Sequence, residues 1–177
     1  MAVDMRIPVR KLTLMAALTA AALIIFIIEA QVPLPIPNVK LGLANTVTLF
    51  ALFYSYGDNR DTNSLTVANA FMILICRIIL GAIFTGRIVA FIYSTSGGLL
   101  AFAAQAVMSR FVSKKQVWAC GAVGAVFHNI GQIIAAVLVT GTPAIAAYLP
   151  VLIVAGVVTG VVTGFLAQVT LSRLILA

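Results

Sequence analysis

Charged side chains are scarce in this chain. Of its 177 residues, only 8% are Asp, Glu, Lys or Arg, and four of these are acidic. Soluble domains carry charge on about a quarter of their residues, whereas 63% of this chain is hydrophobic. The composition therefore argues against an ordinary soluble domain. It predicts an integral membrane protein whose surroundings are the lipid bilayer.

Motifs for several common chemistries are missing as well. The two cysteines, Cys76 and Cys120, stand apart without the C-x-x-C spacing typical of metal or redox pairs. No G-x-x-x-x-G-K-[ST] phosphate loop occurs, so any ATP-driven process would need another protein. We expect no catalytic residues and no metal site in this chain.

Long apolar runs are what the sequence has instead. One bilayer span needs about 20 mostly apolar residues, and these runs are continuous rather than alternating, which excludes a membrane β-barrel. We predict an all-α, polytopic membrane protein that forms one integral membrane domain over residues 1–177. The six transmembrane helices of this bundle are predicted at residues 11–30, 42–56, 65–84, 91–112, 116–140 and 148–174.

Basic residues orient the predicted bundle, because Lys and Arg gather on the cytoplasmic side of membrane proteins. With the N-terminus inside, only Lys40 and Arg87 fall in outer segments, and Arg77 falls within the third helix. The inner segments hold Arg6, Arg10, Lys11, Arg60, Arg110, Lys114, Lys115 and Arg173. We therefore predict a plasma (inner) membrane protein with both termini cytoplasmic. The net charge of +7 is a topology signal rather than a nucleic-acid-binding surface.

Three hydrogen-bonding side chains interrupt the apolar run AVFHNIGQIIAA. His128 and Gln132 are four residues apart and share one helix face, and Asn129 lies about 100° further round. Polar side chains are costly in hydrocarbon, so they should face the bundle interior or water. This pattern predicts a polar recess inside the bundle.

The predicted topology brings other polar residues to the same outer half. Cations outnumber the one nearby carboxylate, Glu29, and arginine can hold a carboxylate or phosphate through two hydrogen bonds. Apolar walls would bury the rest of a ligand. We predict an outward-open site for a small anionic, partly apolar molecule. Its substrate-binding residues are predicted to be Lys40, Asn45, Arg77, Arg87, His128, Asn129 and Gln132.

Structural interpretations of the same residues remain open. Arg77 and Glu29 could form an ion pair, and His128 could serve only as an interhelical hydrogen-bonding residue. Lys40 and Arg87 could be interfacial charges that extend toward water. The alternating prolines Pro33, Pro35 and Pro37 predict a rigid, non-helical connection, which would act as a lid or as a stiff linker.

Small residues at four-residue spacing predict close helix contacts. Gly156, Gly160 and Gly164 form such a stripe on the last helix, where packing within the chain is expected. Pairs of alanines form another stripe on the first helix, where one face could dock a second membrane subunit. The docking residues are predicted to be Ala16, Ala17, Ala20 and Ala21.

Four segments, in order, carry a resemblance to a known family. PLPIPNVKLGLANTVTLFAL, RIILGAIFTG, YSTSGGLLA and AVFHNIGQIIAA resemble the motifs of the Gx transporter family, also called heptaprenyl diphosphate synthase component I, over about residues 10–170. Members of that family are similar to the substrate-binding S components of energy-coupling factor (ECF) transporters. The resemblance implies a six-helix subunit with an outward-facing site, energised by a T subunit, which the first-helix alanines contact, and by ATPases.

The resemblance also suggests two functions. The first is uptake of an isoprenoid or quinone precursor or a related vitamin, with no cofactor. The alternative is a non-catalytic accessory subunit of a prenyl diphosphate synthase or quinone pathway, or of an electron-transfer complex with bound flavin or quinone. The chain cannot be such a synthase by itself, because four acidic residues do not provide the paired carboxylate clusters that hold magnesium. We therefore expect a protein that is not an enzyme.

Overall fold

The computed structural model describes residues 8–31, 40–55 and 65–176, and within these ranges the chain is helical, without strands. Short 3₁₀ turns at Lys114–Gln116 and Pro143–Tyr148 precede the last two helices. The six α-helices are α1 (Val9–Glu29), α2 (Asn45–Ser55), α3 (Val67–Thr85), α4 (Ile88–Met108), α5 (Val117–Thr140) and α6 (Leu149–Leu176). The predicted all-α class is confirmed, and each helix lies within four residues of its predicted limits.

Local sequence explains where α3 begins and ends. The Thr66 side chain accepts a hydrogen bond from the Asn69 backbone N–H, and the Asn69 side chain accepts one from the Thr66 N–H. This reciprocal pair satisfies two N–H groups that a helix start leaves free. At the other end, Gly86 adopts a left-handed conformation with φ 62°, which favours glycine and stops the helix.

Within the described ranges, five segments are long and apolar enough to cross a membrane: Val9–Glu29, Val67–Thr85, Ile88–Met108, Lys114–Thr140 and Pro143–Arg173. Large apolar side chains cover their outer faces, including Ile83, Leu138 and Val154, each exposed by 66% or more. In water such surfaces would be unfavourable, whereas lipid accommodates them. The protein is therefore a multi-pass membrane protein.

Helix α2 is shorter than the span predicted at residues 42–56. With 11 residues it is about 16 Å long, which is roughly half of the ~30 Å hydrocarbon core. It begins at Asn45, which contacts Arg77 and His128, and both of these lie near the middle of their helices. The α2 N-terminus therefore lies beside the middle of α3 and α5. The connection with Pro33, Pro35 and Pro37 lies outside the described residues.

Helices α5 and α6 pack against each other through glycine. A Cβ atom placed on Gly160 would lie 2.6 Å from the Gly121 carbonyl oxygen and 2.7 Å from Ala122 Cα. A Cβ on Gly164 would lie 2.7 Å from Trp118 Cα. Only glycine allows backbones to come this close, so the predicted packing role of the α6 stripe is confirmed.

Candidate ligand-binding site

The segment from Lys40 to Ala44 is non-helical backbone in the middle of the bundle, where its polar groups need partners other than water. Gln132 on α5 supplies two of them. Its Oε1 accepts a hydrogen bond from the Lys40 N–H at 2.7 Å, and its Nε2 donates one to the Lys40 carbonyl at 2.7 Å. The predicted site residue Gln132 thus holds the segment that carries Lys40.

Glu29, the last residue of α1, holds the next part of the same segment. Its Oε1 accepts hydrogen bonds from the backbone N–H groups of Gly42, at 2.5 Å, and Leu43, at 3.1 Å. Gly42 has φ 83°, and a Cβ atom there would lie 2.7 Å from the His128 ring. Position 42 therefore requires glycine for both its conformation and its close approach to His128.

Arg77, Asn45 and His128 form a chain of buried hydrogen bonds. Arg77 Nη2 donates to Asn45 Oδ1 at 2.7 Å, and Asn45 Nδ2 lies 2.9 Å from His128 Nδ1. Because arginine can only donate, it fixes the Asn45 amide with its NH₂ group toward the histidine. His128 Nδ1 must then accept, so the neutral ring carries its proton on Nε2.

Two cationic groups at this site keep unused donors. Lys40 is 7% exposed and Arg77 is 2% exposed, yet Lys40 Nζ and Arg77 Nε have no hydrogen-bond partner among the described residues. Lys40 Nζ instead lies over the Phe26 ring, 3.1 Å from its centroid, and the Arg77 guanidinium carbon lies 5.7 Å from the same centroid. A cation–π contact compensates only part of the cost of burying a charge.

The remaining predicted site residues lie elsewhere. Asn129 is fully buried, but its Nδ2 donates to the Leu152 carbonyl of α6 at 2.6 Å and packs against Gly156. Arg87 is exposed at the start of α4, near enough for its charge to influence Lys40. The structure thus groups Lys40, Asn45, Arg77, His128 and Gln132 together, places Arg87 outside this group and turns Asn129 toward α6.

The four alanines predicted to dock a partner share one property. All of them are exposed on α1: Ala16, Ala17, Ala20 and Ala21. The buried face of the same helix carries Met15, Ala22 and Phe26. The alanine face is therefore free of contacts with the described part of the chain that would bury it.

The cavities between the described residues lie away from the cations. One of about 10 Å³, enough for about one water molecule, borders Gly42 and Asn45. Two larger hollows of about 370 and 460 Å³ are apolar surface grooves, one beside Ile83 and the other beside Trp118. None of these three cavities is lined by Lys40 or Arg77.

Sequence reasoning did not assign site roles to three residues. Phe26 gives no signal, because it is one apolar residue in an apolar run. The sequence predicts Glu29 as a counter-charge, whereas its hydrogen bonds go to backbone N–H groups. Gly42 could have been noticed as a glycine just before the predicted α2 start, where left-handed conformations are common.

Together, the fold and the site define a polytopic α-helical membrane protein with a buried cationic site. Comparison with known proteins adds the family: residues 18–170 match the model described as heptaprenyl diphosphate synthase component I. The match spans most of the chain, so the protein belongs to this family. Searches of curated proteins and of solved structures gave no significant match.

Proposed function

We propose that this protein is the substrate-binding subunit of a membrane transporter and that it takes up a small, anionic, partly apolar molecule. The unused donors of Lys40 and Arg77 carry this proposal. A buried charge without a partner is strongly unfavourable, while an anion would supply both a counter-charge and hydrogen-bond acceptors. The apolar residues around the cluster would bury the rest of the ligand.

Hydrogen bonds to side chains hold the segment that we expect to move on binding. Side chains of Gln132 and Glu29, rather than a helix or sheet, hold the Lys40–Ala44 segment through four hydrogen bonds. Such contacts can be exchanged for contacts with a ligand without unfolding a helix. We expect the ligand to displace this segment, with Arg77 and the Nε2–H of His128 as fixed donors.

The proposed topology has six crossings and both termini in the cytoplasm. The short α2 completes the second crossing together with the connection before it. Basic residues support this orientation, because Arg10, Lys11, Arg110, Lys114 and Arg173 lie at the helix ends opposite the cationic site. The ligand would then enter from the outer side.

Transport would need an external source of energy, since the chain carries no phosphate loop. We propose an ECF-like arrangement in which a T subunit and two ATPases move the bundle. The exposed alanine face of α1 would dock the T subunit, because small residues allow close helix approach. The subunit itself would not be an enzyme and would need no cofactor.

The family description favours a second candidate function. It names a component of heptaprenyl diphosphate synthase, so this protein could be a non-catalytic membrane subunit of a prenyl-transfer or quinone pathway. In an electron-transfer complex, the same accessory role would involve bound flavin or quinone. Under either form, the protein should purify with a soluble or redox partner rather than with an anionic small molecule.

Native mass spectrometry of gently solubilised protein distinguishes these functions. We expect wild-type protein to retain an anionic small molecule and Lys40→Met and Arg77→Gln to lose it. Lys115→Met is the matched control, because Lys115 is exposed at the opposite end of the bundle. Equal retention by wild type and both site variants would contradict the proposed site. A stable protein partner together with an empty site would favour the accessory function.

A further inference from the structure

The larger of the two apolar surface grooves lies between α5 and α6, and we call it the α5–α6 groove. Its volume is about 460 Å³, and its lining residues are Trp118, Val161, Val162, Phe165, Leu166 and Gln168. Val162, Phe165 and Leu166 are each more than half exposed. The groove therefore opens on the lipid-facing surface of the bundle, where its apolar walls fit a hydrocarbon chain.

On the α5 side, the groove begins beside basic residues. Trp118 lies in the first turn of α5, and the 3₁₀ turn directly before this helix holds Lys114 and Lys115. Both lysines therefore lie within about one helical turn of Trp118. Lys115 is exposed and Lys114 is partly exposed, so their ammonium groups are accessible from the bilayer surface.

Arg173 brings a third cation to this end of the groove from α6. Leu166 in the groove wall and Arg173 are seven residues apart, so they share one face of α6 and lie about 10 Å apart along it. Between them, Leu171 belongs to a buried cluster with Val117, against which Val112 of the α4–α5 connection packs. The end of α6 that carries Arg173 therefore lies beside the connection that carries the two lysines.

Acidic residues do not balance this positive charge. Within the described residues the one Asp or Glu is Glu29, which bonds the Gly42 backbone at the cationic site. Three acidic residues lie outside the described ranges: Asp4, Asp58 and Asp61. A positive excess remains even if all three belong to this end, because four basic residues of the described part lie there: Arg110, Lys114, Lys115 and Arg173.

We propose that the α5–α6 groove is a binding site for an anionic phospholipid of the bilayer. The acyl chain lies in the groove, and Lys114 and Arg173 hold the phosphate. Tryptophan is typical of the boundary between hydrocarbon and head groups, so Trp118 places the head group at the level of the cations. Arginine and lysine both bind phosphate, and cations near a membrane surface attract anionic lipid. The lipid site is separate from the cationic site at Lys40 and needs no transport function.

The other apolar groove provides an internal comparison. It lies between α3 and α4, has a volume of about 370 Å³ and is lined by Ile79, Ala82, Ile83, Gly86, Ile88 and Phe91. One basic residue, Arg87, stands between two of these lining residues. An acyl chain fits this groove as well, but fewer cations border it, so its preference for anionic lipid should be weaker.

Trp118 is the only tryptophan of the chain, so its fluorescence reports on the α5–α6 groove. The full-length protein would be reconstituted in phosphatidylcholine vesicles with increasing fractions of brominated phosphatidylglycerol or brominated phosphatidylcholine, whose bromine atoms quench tryptophan on contact. We expect phosphatidylglycerol to bind beside Trp118 at least about fivefold more tightly than phosphatidylcholine. This preference should weaken in about 1 M salt. Equal quenching by the two lipids would overturn the inference.

Variants test the residues and the location. Lys114→Gln combined with Arg173→Gln should lower the preference to less than about twofold, whereas Arg87→Gln should leave it unchanged. Full preference in the double variant would overturn the inference. Trp118→Phe combined with Phe91→Trp moves the reporter to the α3–α4 groove, where we expect a preference of less than about twofold. An equal preference at both grooves would also overturn the inference, since it would show a general attraction of anionic lipid. If the double variant does not fold, the wild-type comparison of the two lipids still decides.

Discussion

Two buried regions of this bundle contain polar side chains, and they differ in the charge of those side chains. Between α5 and α6, the neutral Asn129 donates to the Leu152 carbonyl, while its Oδ1 has no partner among the described residues. The glycines around it bring the two backbones into contact, and we call this region the structural joint. Between α1, α3 and α5, the cations Lys40 and Arg77 retain unused donors among the described residues. Both regions thus have unmet hydrogen-bonding capacity, and it is the buried positive charge of the second that points to a binding site.

The largest effect should come from filling the structural joint. Gly160→Leu places a side chain where the Gly121 carbonyl and Ala122 backbone already lie, so we expect a loss of about 3 kcal/mol or more in unfolding free energy. The thermal midpoint and monodispersity in detergent measure this loss. Val158→Leu, on the exposed face of the same helix, is the control. Equal behaviour of the two variants would show that the helices do not pack as described.

The next effect concerns pH, and it should separate the two regions. Deprotonation of Lys40 would remove one of the two positive charges of the site, so anion affinity should fall about tenfold per pH unit above the pKa of this lysine. Titrations from pH 6 to 11 check this slope. A flat affinity profile would show that Lys40 does not contact the anion.

A smaller effect should follow from removing the buried positive charge of Lys40. Lys40→Met keeps most of the side-chain volume but removes a buried cation that has only a ring as partner. We expect the ligand-free protein to become more stable by about 1 kcal/mol, even though it loses anion binding. Thermal unfolding without ligand measures this gain, and Lys115→Met should show none. A clear loss of stability would instead mark Lys40 as a structural residue.

The smallest effect should come from the polar residue of the joint. Asn129→Leu removes one interhelical hydrogen bond, and such bonds are worth about 0.6 kcal/mol in membrane proteins. We expect unchanged anion affinity, because Asn129 faces α6. The same substitution at Asn45 should abolish binding, since it breaks the link between Arg77 and His128. If Asn129→Leu also abolished binding, the division into two regions would be wrong.

Much of the fold could be predicted from sequence because each long apolar run has room for one helix. The predicted topology also puts four polar residues in one place, since polar residues at equal depth on neighbouring helices face one another. These residues are Lys40, Arg77, His128 and Gln132. The start of α2 at Asn45 could not be predicted from the sequence. The segment LGLAN is as apolar as the helices that follow it, and only tertiary contacts show that the helix begins at its end. The sequence also does not show that the Gln132 side chain binds the Lys40 backbone, because the two residues are 92 positions apart.

Proton uptake on anion binding tests the central claim most directly. If the ligand pairs with the Lys40 ammonium group, it favours the protonated lysine, so binding at alkaline pH should bring protons onto the protein. Calorimetric titration of geranate, a small carboxylate with an apolar tail, in buffers of different ionisation enthalpy measures this uptake. We predict an uptake that increases between pH 7 and pH 10 for wild type and none for any residual binding by Lys40→Met. Binding to wild type without proton uptake would contradict the account.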